Sequence, residues 1–323
     1  MQTIVVSPQT KTPMIMQEHI SLADKNWFQT GGNARYFCQP EDEFSFAYAL
    51  EFAHKKNLPT FILGHGANIL ISDEGFDGLV IKPALEAIEV IEENATHCFL
   101  KVGAGLSFDT LIEHCLHNKL LGLEEFSGIP GTVGGATFIN IHYYEYLLEQ
   151  FITGAHIIDK TTQQTYFVPV QWFEFGYDHS KLFEQKHVVS HVFFKVKKAT
   201  DLEAAYAQGR RHEIMRHRFR RYPTARTCGS FFRNFFPQEV ENTKAKLIYV
   251  AYYLDKLGIK GELRVGKAKI SHQHANMLIT EPGATSTDVI TLARTMQEMV
   301  YKNFGIIPQA ECQLIGFTKS PLL

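Results

Sequence analysis

An α+β fold, with two small lobes followed by a third α+β domain, is predicted by three features of the chain. Two glycine-rich runs, Gly64-His-Gly-Ala-Asn68 and Gly128-Ile-Pro-Gly-Thr-Val-Gly-Gly-Ala136, stand about sixty residues apart. The Gly64 run reads as strand, turn, strand, and in residues 83–203 a helix follows alternating strands. From about Ala204 the texture turns basic.

Residues 1–82 form the expected first lobe. They contain Trp27-Phe-Gln-Thr-Gly-Gly-Asn-Ala34, a helix around Glu41 to Lys56, and strands at Thr60 to Leu63 and Ile69 to Ile71 flanking the Gly64 turn. A dinucleotide-binding Rossmann fingerprint needs its glycines to open a helix, whereas Gly66 leads into a strand, so that reading is rejected. Residues 83–203 form the second lobe. Strands are expected at Ile88 to Ile91 and Cys98 to Val102, then a helix from about Ser107 to Asn118. Ser107 would cap that helix, and Phe108, Leu111, Ile112, Cys115 and Leu116 give it an apolar stripe. Strands follow the second glycine run near Ile152 to Ile158, Thr165 to Val168 and Val188 to Val196.

Residues 204–323 form the third domain. It opens on a stretch from Arg210 to Arg221 with six arginines in twelve residues. A solvated helix face is the plain explanation. The position just before Thr227-Cys-Gly-Ser-Phe-Phe-Arg-Asn234 favours an anion-binding role, for which arginine forks are suited.

The 323 residues, 45% of them hydrophobic, suffice for two or three packed domains. A net charge of −2 and a pI near 6.7 argue against general nucleic-acid binding and for a small-molecule partner. Five scattered cysteines, Cys38, Cys98, Cys115, Cys228 and Cys312, show no Cys-x-x-Cys pair, so reduced thiols and no zinc site are expected. No apolar run reaches the length of a membrane span, and the Thr3 to Val6 run is too short for a signal peptide. A cytoplasmic protein without membrane or nucleic-acid partners is expected.

Both glycine runs have the composition of a cofactor cradle. Glycine admits positive φ and brings main-chain N–H groups close to a ligand, as in turns that hold phosphates or a flat ring.

From Asn26 to Gly316 the chain resembles the UDP-N-acetylenolpyruvoylglucosamine reductase family. The motifs that carry the resemblance include Gly31-Gly-Asn-Ala34, Gly64-His-Gly-Ala-Asn68, Gly75-Phe-Asp-Gly78, the Gly128 run, Phe175-Gly-Tyr177, Cys228-Gly-Ser-Phe-Phe-Arg-Asn234, Leu257-Gly-Ile-Lys-Gly261, Ser271-His-Gln-His-Ala-Asn276 and Ala310-Glu-Cys-Gln-Leu-Ile-Gly316. The resemblance implies a two-lobed FAD-binding domain of the vanillyl-alcohol-oxidase type plus a C-terminal α+β substrate domain. It implies noncovalent FAD, NADPH as reductant and a UDP-sugar substrate whose enolpyruvyl ether is reduced to a lactyl ether in peptidoglycan precursor synthesis. A monomer is expected.

By the same resemblance, FAD would be held by Gly64, His65, Gly66, Ala67, Asn68, Ile69, Gly128, Pro130, Gly131, Thr132, Gly134 and Gly135. Ser230 would donate the proton and Glu311 would work beside the substrate carboxylate. Tyr177, Arg233 and Asn234 would contact substrate. A covalent flavin link through His65 is disfavoured, Cys228 is read as packing, and His212 and His217 lack metal-ligand partners at a suitable spacing.

Two departures from the family pattern stand out. The family continues Gly-Tyr with an arginine that grips the substrate carboxylate, whereas here Asp178 and His179 follow Tyr177; His179, Arg226 or Arg221 would have to supply the missing cation. Where the family reads Asn-x-Gly-Ala-Tyr-Gly, this chain has Asn140-Ile-His-Tyr-Tyr-Glu145. Three functions are compatible with this pattern: the reductase with an altered carboxylate clamp, a descendant flavoenzyme with another substrate, or a flavin- or nucleotide-sugar-binding protein without turnover.

Overall fold

The computed structural model describes residues 14–241 and 247–323. The apolar run from Thr3 to Val6 lies outside the described residues. The chain divides into two compact units that are not contiguous in sequence. Among the described residues, one contains 14–18, Tyr36–His65 and Gly78–His217; the other contains His19–Arg35, Gly66–Asp77 and Arg218–Leu323.

The first unit is built on a six-stranded antiparallel sheet. Its path runs Thr165–Pro169, Ile152–Asp159, His187–Lys198, His97–Gly103, Ile88–Glu93, with Leu120–Leu121 added on the long His187 strand. The helix Phe108–His117 buries its predicted stripe of Phe108, Leu111, Ile112, Cys115 and Leu116 in a core shared with Leu100, Val102, Val192 and Phe194. Each such side chain contributes about 1.5–3 kcal/mol of apolar transfer free energy.

A second core in this unit gathers Phe46, Ala49, Leu50 and Ala53 of the helix Glu43–Lys55 with Ile81, Leu85, Ile158 and Val188. That helix starts at a capping box: Asp42 accepts from the Ser45 amide at 2.7 Å, and Ser45 Oγ accepts from the Asp42 amide at 3.2 Å.

The second unit packs the helices Val250–Lys256 and Ser286–Phe304 with a three-stranded antiparallel sheet of Arg264–Val265, Ala268–Ile270 and Leu278–Thr280. The long helix has a Thr285/Asp288 capping box and ends on Gly305 at φ 73°, where a left-handed residue closes the last turn. Asp73 supports the same start, accepting from the amides of Ser286 at 2.7 Å and Thr287 at 3.1 Å. These bonds outweigh burial and lower the Asp73 pKa. The strand Gln313–Ile315 pairs in parallel with Ile69–Ile71.

The expected α+β class is observed, and the predicted helices and strands lie within a residue or two of their expected bounds. Ser107 behaves differently from expectation. It occupies the N-cap position without a side-chain cap bond; the amide of Phe108, the first helical residue, donates instead to Gly131 O at 3.0 Å. The five cysteines are free and buried, and burial pushes the Cys38 and Cys115 thiols up to about 12.

The arginine stretch also departs from expectation. It ends a single helix, Asp201–Arg221. Arg210 forks onto Glu125 at 2.8–3.2 Å, Arg211 bonds Asp109 and Glu113, and Arg216 pairs with Glu213. Three of the six arginines are thus held by carboxylates of the chain, which takes them away from the expected anion site.

Candidate active site

In the first unit the second glycine run is half turn and half helix. Thr132 is extended and its Oγ1 accepts from the Gly135 amide at 3.1 Å, starting the helix Val133–Ile139. Gly134 packs tightly: its amide donates to Ala104 O at 2.8 Å, and an added Cβ would lie 3.0 Å from Ala104 Cβ. The structure brings the two glycine runs together here. A Cβ on Gly64 would sit 2.8 Å from Thr132 Oγ1, so only glycine permits this approach.

The cradle keeps unused capacity for a ligand. A Cβ on Gly131 would meet nothing within 4 Å, and the amides of Gly131 and Thr132 donate to no acceptor among the described residues. Gly128, at φ 76°, and half-buried Pro130 shape the approach to this turn. His65, in the same unit, has its pKa lowered by burial and by Lys82, with Glu86 opposing, which favours a neutral imidazole.

The two departures from the family pattern meet in space. Asn140, left-handed at φ 51°, ends the cradle helix and donates from Nδ2 to Gly176 O at 3.2 Å. Beyond it, His142–Tyr143 and Tyr146–Leu147 form a small hairpin whose turn leaves Tyr144 exposed. His142 Nδ1 lies 3.3 Å from Asp178 Oδ1, and the His142 ring lies 4.7 Å from that of Tyr177. Asp178 Oδ2 is buried with no hydrogen-bond partner. The group beside Asp178 is therefore His142, which sequence reasoning did not nominate; His179 instead packs its ring 5.0 Å from Phe183.

In the second unit, Gly66 is left-handed at φ 67°, and a Cβ there would lie 2.6 Å from Asn26 Cα. Its carbonyl accepts from the Trp27 amide at 3.0 Å. Ala67 and Asn68 complete the turn; Asn68 O accepts from the Gln313 amide at 3.0 Å, and Asn68 Oδ1 is buried without a partner. Ile69 then enters the parallel pairing with Gln313. The C-terminal glutamate segment is thereby fixed two residues from the exit of the first glycine run.

Ser230 and Glu311 lie on paired backbone segments of this unit. Ser230 bridges Met277, Phe232 bridges Ala310, and the Glu311 amide donates to Phe231 O at 2.9 Å. The Ser230 hydroxyl has no hydrogen bond among the described residues. Asn276 holds this segment on both sides, with Phe232 N donating to its Oδ1 at 3.1 Å and its Nδ2 donating to Phe232 O at 2.7 Å. Asn276 lies in the Ser271-His-Gln-His-Ala-Asn276 motif, and its partner Phe232 is 44 positions away, so nothing local marks its role.

Asn234 accepts from the Val250 amide at 3.3 Å, tying it to a helix start. Arg233 is committed within the chain. It forms a two-pronged pair with Glu239 at 2.7 and 2.8 Å and stacks 4.2 Å over Phe236. The expected pyrophosphate contact would require it to leave that pair.

Residues 34–164 match the FAD binding domain model, and residues 221–315 match the C-terminal domain of UDP-N-acetylenolpyruvoylglucosamine reductase. A reductase of that name from Prochlorococcus marinus is 30% identical over 94% of this chain and 98% of its own length. The chain belongs to the UDP-N-acetylenolpyruvoylglucosamine reductase family. The Chloroherpeton thalassium reductase is 31% identical over 93% of both chains. The Thermus caldophilus reductase structure superposes with a TM-score of 0.77 at 25% identity, covering 93% of this chain and all of that one.

Like other members of this family, the protein is an FAD-dependent oxidoreductase. The free amides and open face at Gly131 and Thr132 fit the polar groups of that cofactor. Among the described residues, no helix is long and apolar enough to cross a membrane.

Proposed function

We propose that this protein reduces the enolpyruvyl ether of UDP-N-acetylglucosamine to UDP-N-acetylmuramate at the expense of NADPH. The observation that carries the reading is the pairing of the Ser230 and Glu311 segments, with the latter fixed to the exit of a glycine turn. Gly64 to Ile69 and Gly128 to Gly135 would hold FAD, which would supply the hydride taken up at the terminal methylene carbon of the ether. The neighbouring carbon then carries carbanion character spread into the carboxylate, and this chain has to hold that charge and deliver a proton. The Ser230 hydroxyl, uncommitted in the structure, is the proton donor. Glu311 stands beside the carboxylate and acts in its protonated or hydrogen-bonded form, which avoids like-charge repulsion. Tyr177 and Asn234 are substrate contacts, and residues 204–323 form the substrate domain. Arg233 joins them only by releasing Glu239.

A second reading has one observation in its favour. The carboxylate of Asp178, with Oδ2 buried and unpartnered, suits a hydrogen-bond donor better than a substrate carboxylate. A descendant enzyme acting on a substrate without that carboxylate would explain it. NADPH oxidation followed with and without UDP-N-acetylglucosamine enolpyruvate separates the two. Substrate-dependent oxidation supports the first reading, and flavin reduction with no reoxidation by the enolpyruvyl sugar overturns it.

A further inference from the structure

A cluster in the first unit belongs to none of the groups above. Glu43 is the first residue of its helix, and its Oε1 lies 3.0 Å from His156 Nδ1, 2.8 Å from His191 Nδ1 and 2.7 Å from Ser190 Oγ. His156 and His191 stand directly opposite each other on antiparallel strands. The next pair in the ladder is Ile157 with Val189, so Ser190 is an extra residue in a β-bulge. In a regular strand Ser190 and His191 would point to opposite faces. The bulge lets both reach the same carboxylate oxygen.

We propose that Glu43, His156 and His191 form a binding site for one divalent transition-metal ion of the zinc class. The three ligand atoms all lie within 4.8 Å of one another. Metal–ligand bonds of about 2.0–2.2 Å place neighbouring ligand atoms roughly 3.0–3.4 Å apart, so the two edges between Glu43 Oε1 and the imidazole nitrogens, 3.0 and 2.8 Å, open by a few tenths of an ångström to admit an ion. Two imidazoles and one carboxylate are a ligand set for zinc, iron(II) or cobalt(II) rather than for calcium or magnesium.

The surroundings suit the purpose. The three side chains are 11–17% exposed, which shields the site while leaving an entry path. Ser190 supplies a hydrogen bond to the ligating carboxylate, and Phe193 packs its ring 5.0 Å from that of His156. Burial raises the Glu43 pKa, but bonds from His156, His191 and Ser190 outweigh it and hold the carboxyl well below the usual carboxylate range. Glu43 is thus an anionic ligand at neutral pH. Three protein ligands leave a further position for water. An Nδ1 that carries the ring proton becomes a ligand when that proton moves to Nε2 by a change of tautomer, which frees the Nδ1 lone pair for the ion.

The test uses tag-free, flavin-loaded protein stripped with a chelator and titrated with Zn²⁺ by calorimetry. A parallel Co²⁺ titration is followed by ligand-field absorption at wavelengths longer than the flavin bands. One equivalent should bind, and Co²⁺ should give bands that Zn²⁺ removes. His156→Ala, His191→Ala and Glu43→Gln should each weaken binding by roughly 10²-fold or more, with flavin content and circular dichroism showing that the variant is folded. If an alanine variant does not fold, His156→Gln and Ser190→Ala are measured instead; the first should lose binding and the second only weaken it. Absence of cobalt bands in the unaltered protein, or stoichiometric binding that survives these ligand changes, overturns the proposal.

Discussion

Replacing Asp178 by asparagine tests whether the substrate carboxylate approaches the position after Tyr177, without changing the shape of the site. Asp178 is left-handed at φ 49°, a conformation that asparagine tolerates as well as aspartate does. The amide can keep the 3.3 Å contact with His142 through its carbonyl oxygen. It puts an N–H donor where Oδ2 is now a buried, unpartnered acceptor. If the enolpyruvyl carboxylate approaches this point, the change removes a like charge and adds a hydrogen bond to a charged group, worth about 1.5–3 kcal/mol. At about 1.4 kcal/mol per factor of ten, kcat/KM for NADPH oxidation with the enolpyruvyl sugar should rise roughly 10- to 150-fold. Flavin content and KM for NADPH should stay as they are. An unchanged or lower kcat/KM with flavin content intact would refute the placement of the carboxylate beside Asp178.

Ser230→Ala should lower substrate-dependent turnover by about 10²–10⁴-fold while leaving reduction of the flavin by NADPH intact, as read by stopped-flow bleaching; loss of both would mean a structural role. Gly64→Ala drives a Cβ to 2.8 Å from Thr132 Oγ1 and should cost about 1–3 kcal/mol, seen as a lower melting temperature and reduced flavin content. Full flavin loading without a fall in melting temperature would rule out the tight approach of the two turns. The pKa values of His65, His187 and His274 are lowered, chiefly by burial. The unfolded chain then binds more protons than the folded one below about pH 6.5, so stability should fall as the pH drops through that range. Replacing His274 with glutamine should flatten the denaturant midpoint between pH 7 and 5, and an unaltered slope would contradict the lowered pKa of this half-buried imidazole.

Much of the molecule was legible in the sequence because the relevant forces act locally. The apolar stripe of Phe108 to Leu116 defines one helix face whatever surrounds it, and Gly66 needs a left-handed turn for reasons contained in its own backbone. The motifs between Asn26 and Gly316 carry a resemblance to the family and its cofactor that the relatives bear out. Pairings between residues far apart were not legible, since nothing local marks them. Arg233 reads as a free cation until Glu239 is found in its fork, and the arginines before Arg221 read as an anion site until Glu125 and Asp109 are found against them.

Two glycine runs, a serine in a glycine turn, a C-terminal glutamate and the absence of arginine after Tyr177 are written in the order of residues. What these residues touch is set by the tertiary structure. It seats Gly64 against Thr132, sets the Glu311 segment on that of Ser230, and pairs the two departures, His142 and Asp178, although 36 positions separate them. It also gathers Glu43, His156 and His191 from a helix start and two strands. Sheet register and a single bulged residue make that last cluster, and register depends on the pairing of whole strands rather than on the residues at the site.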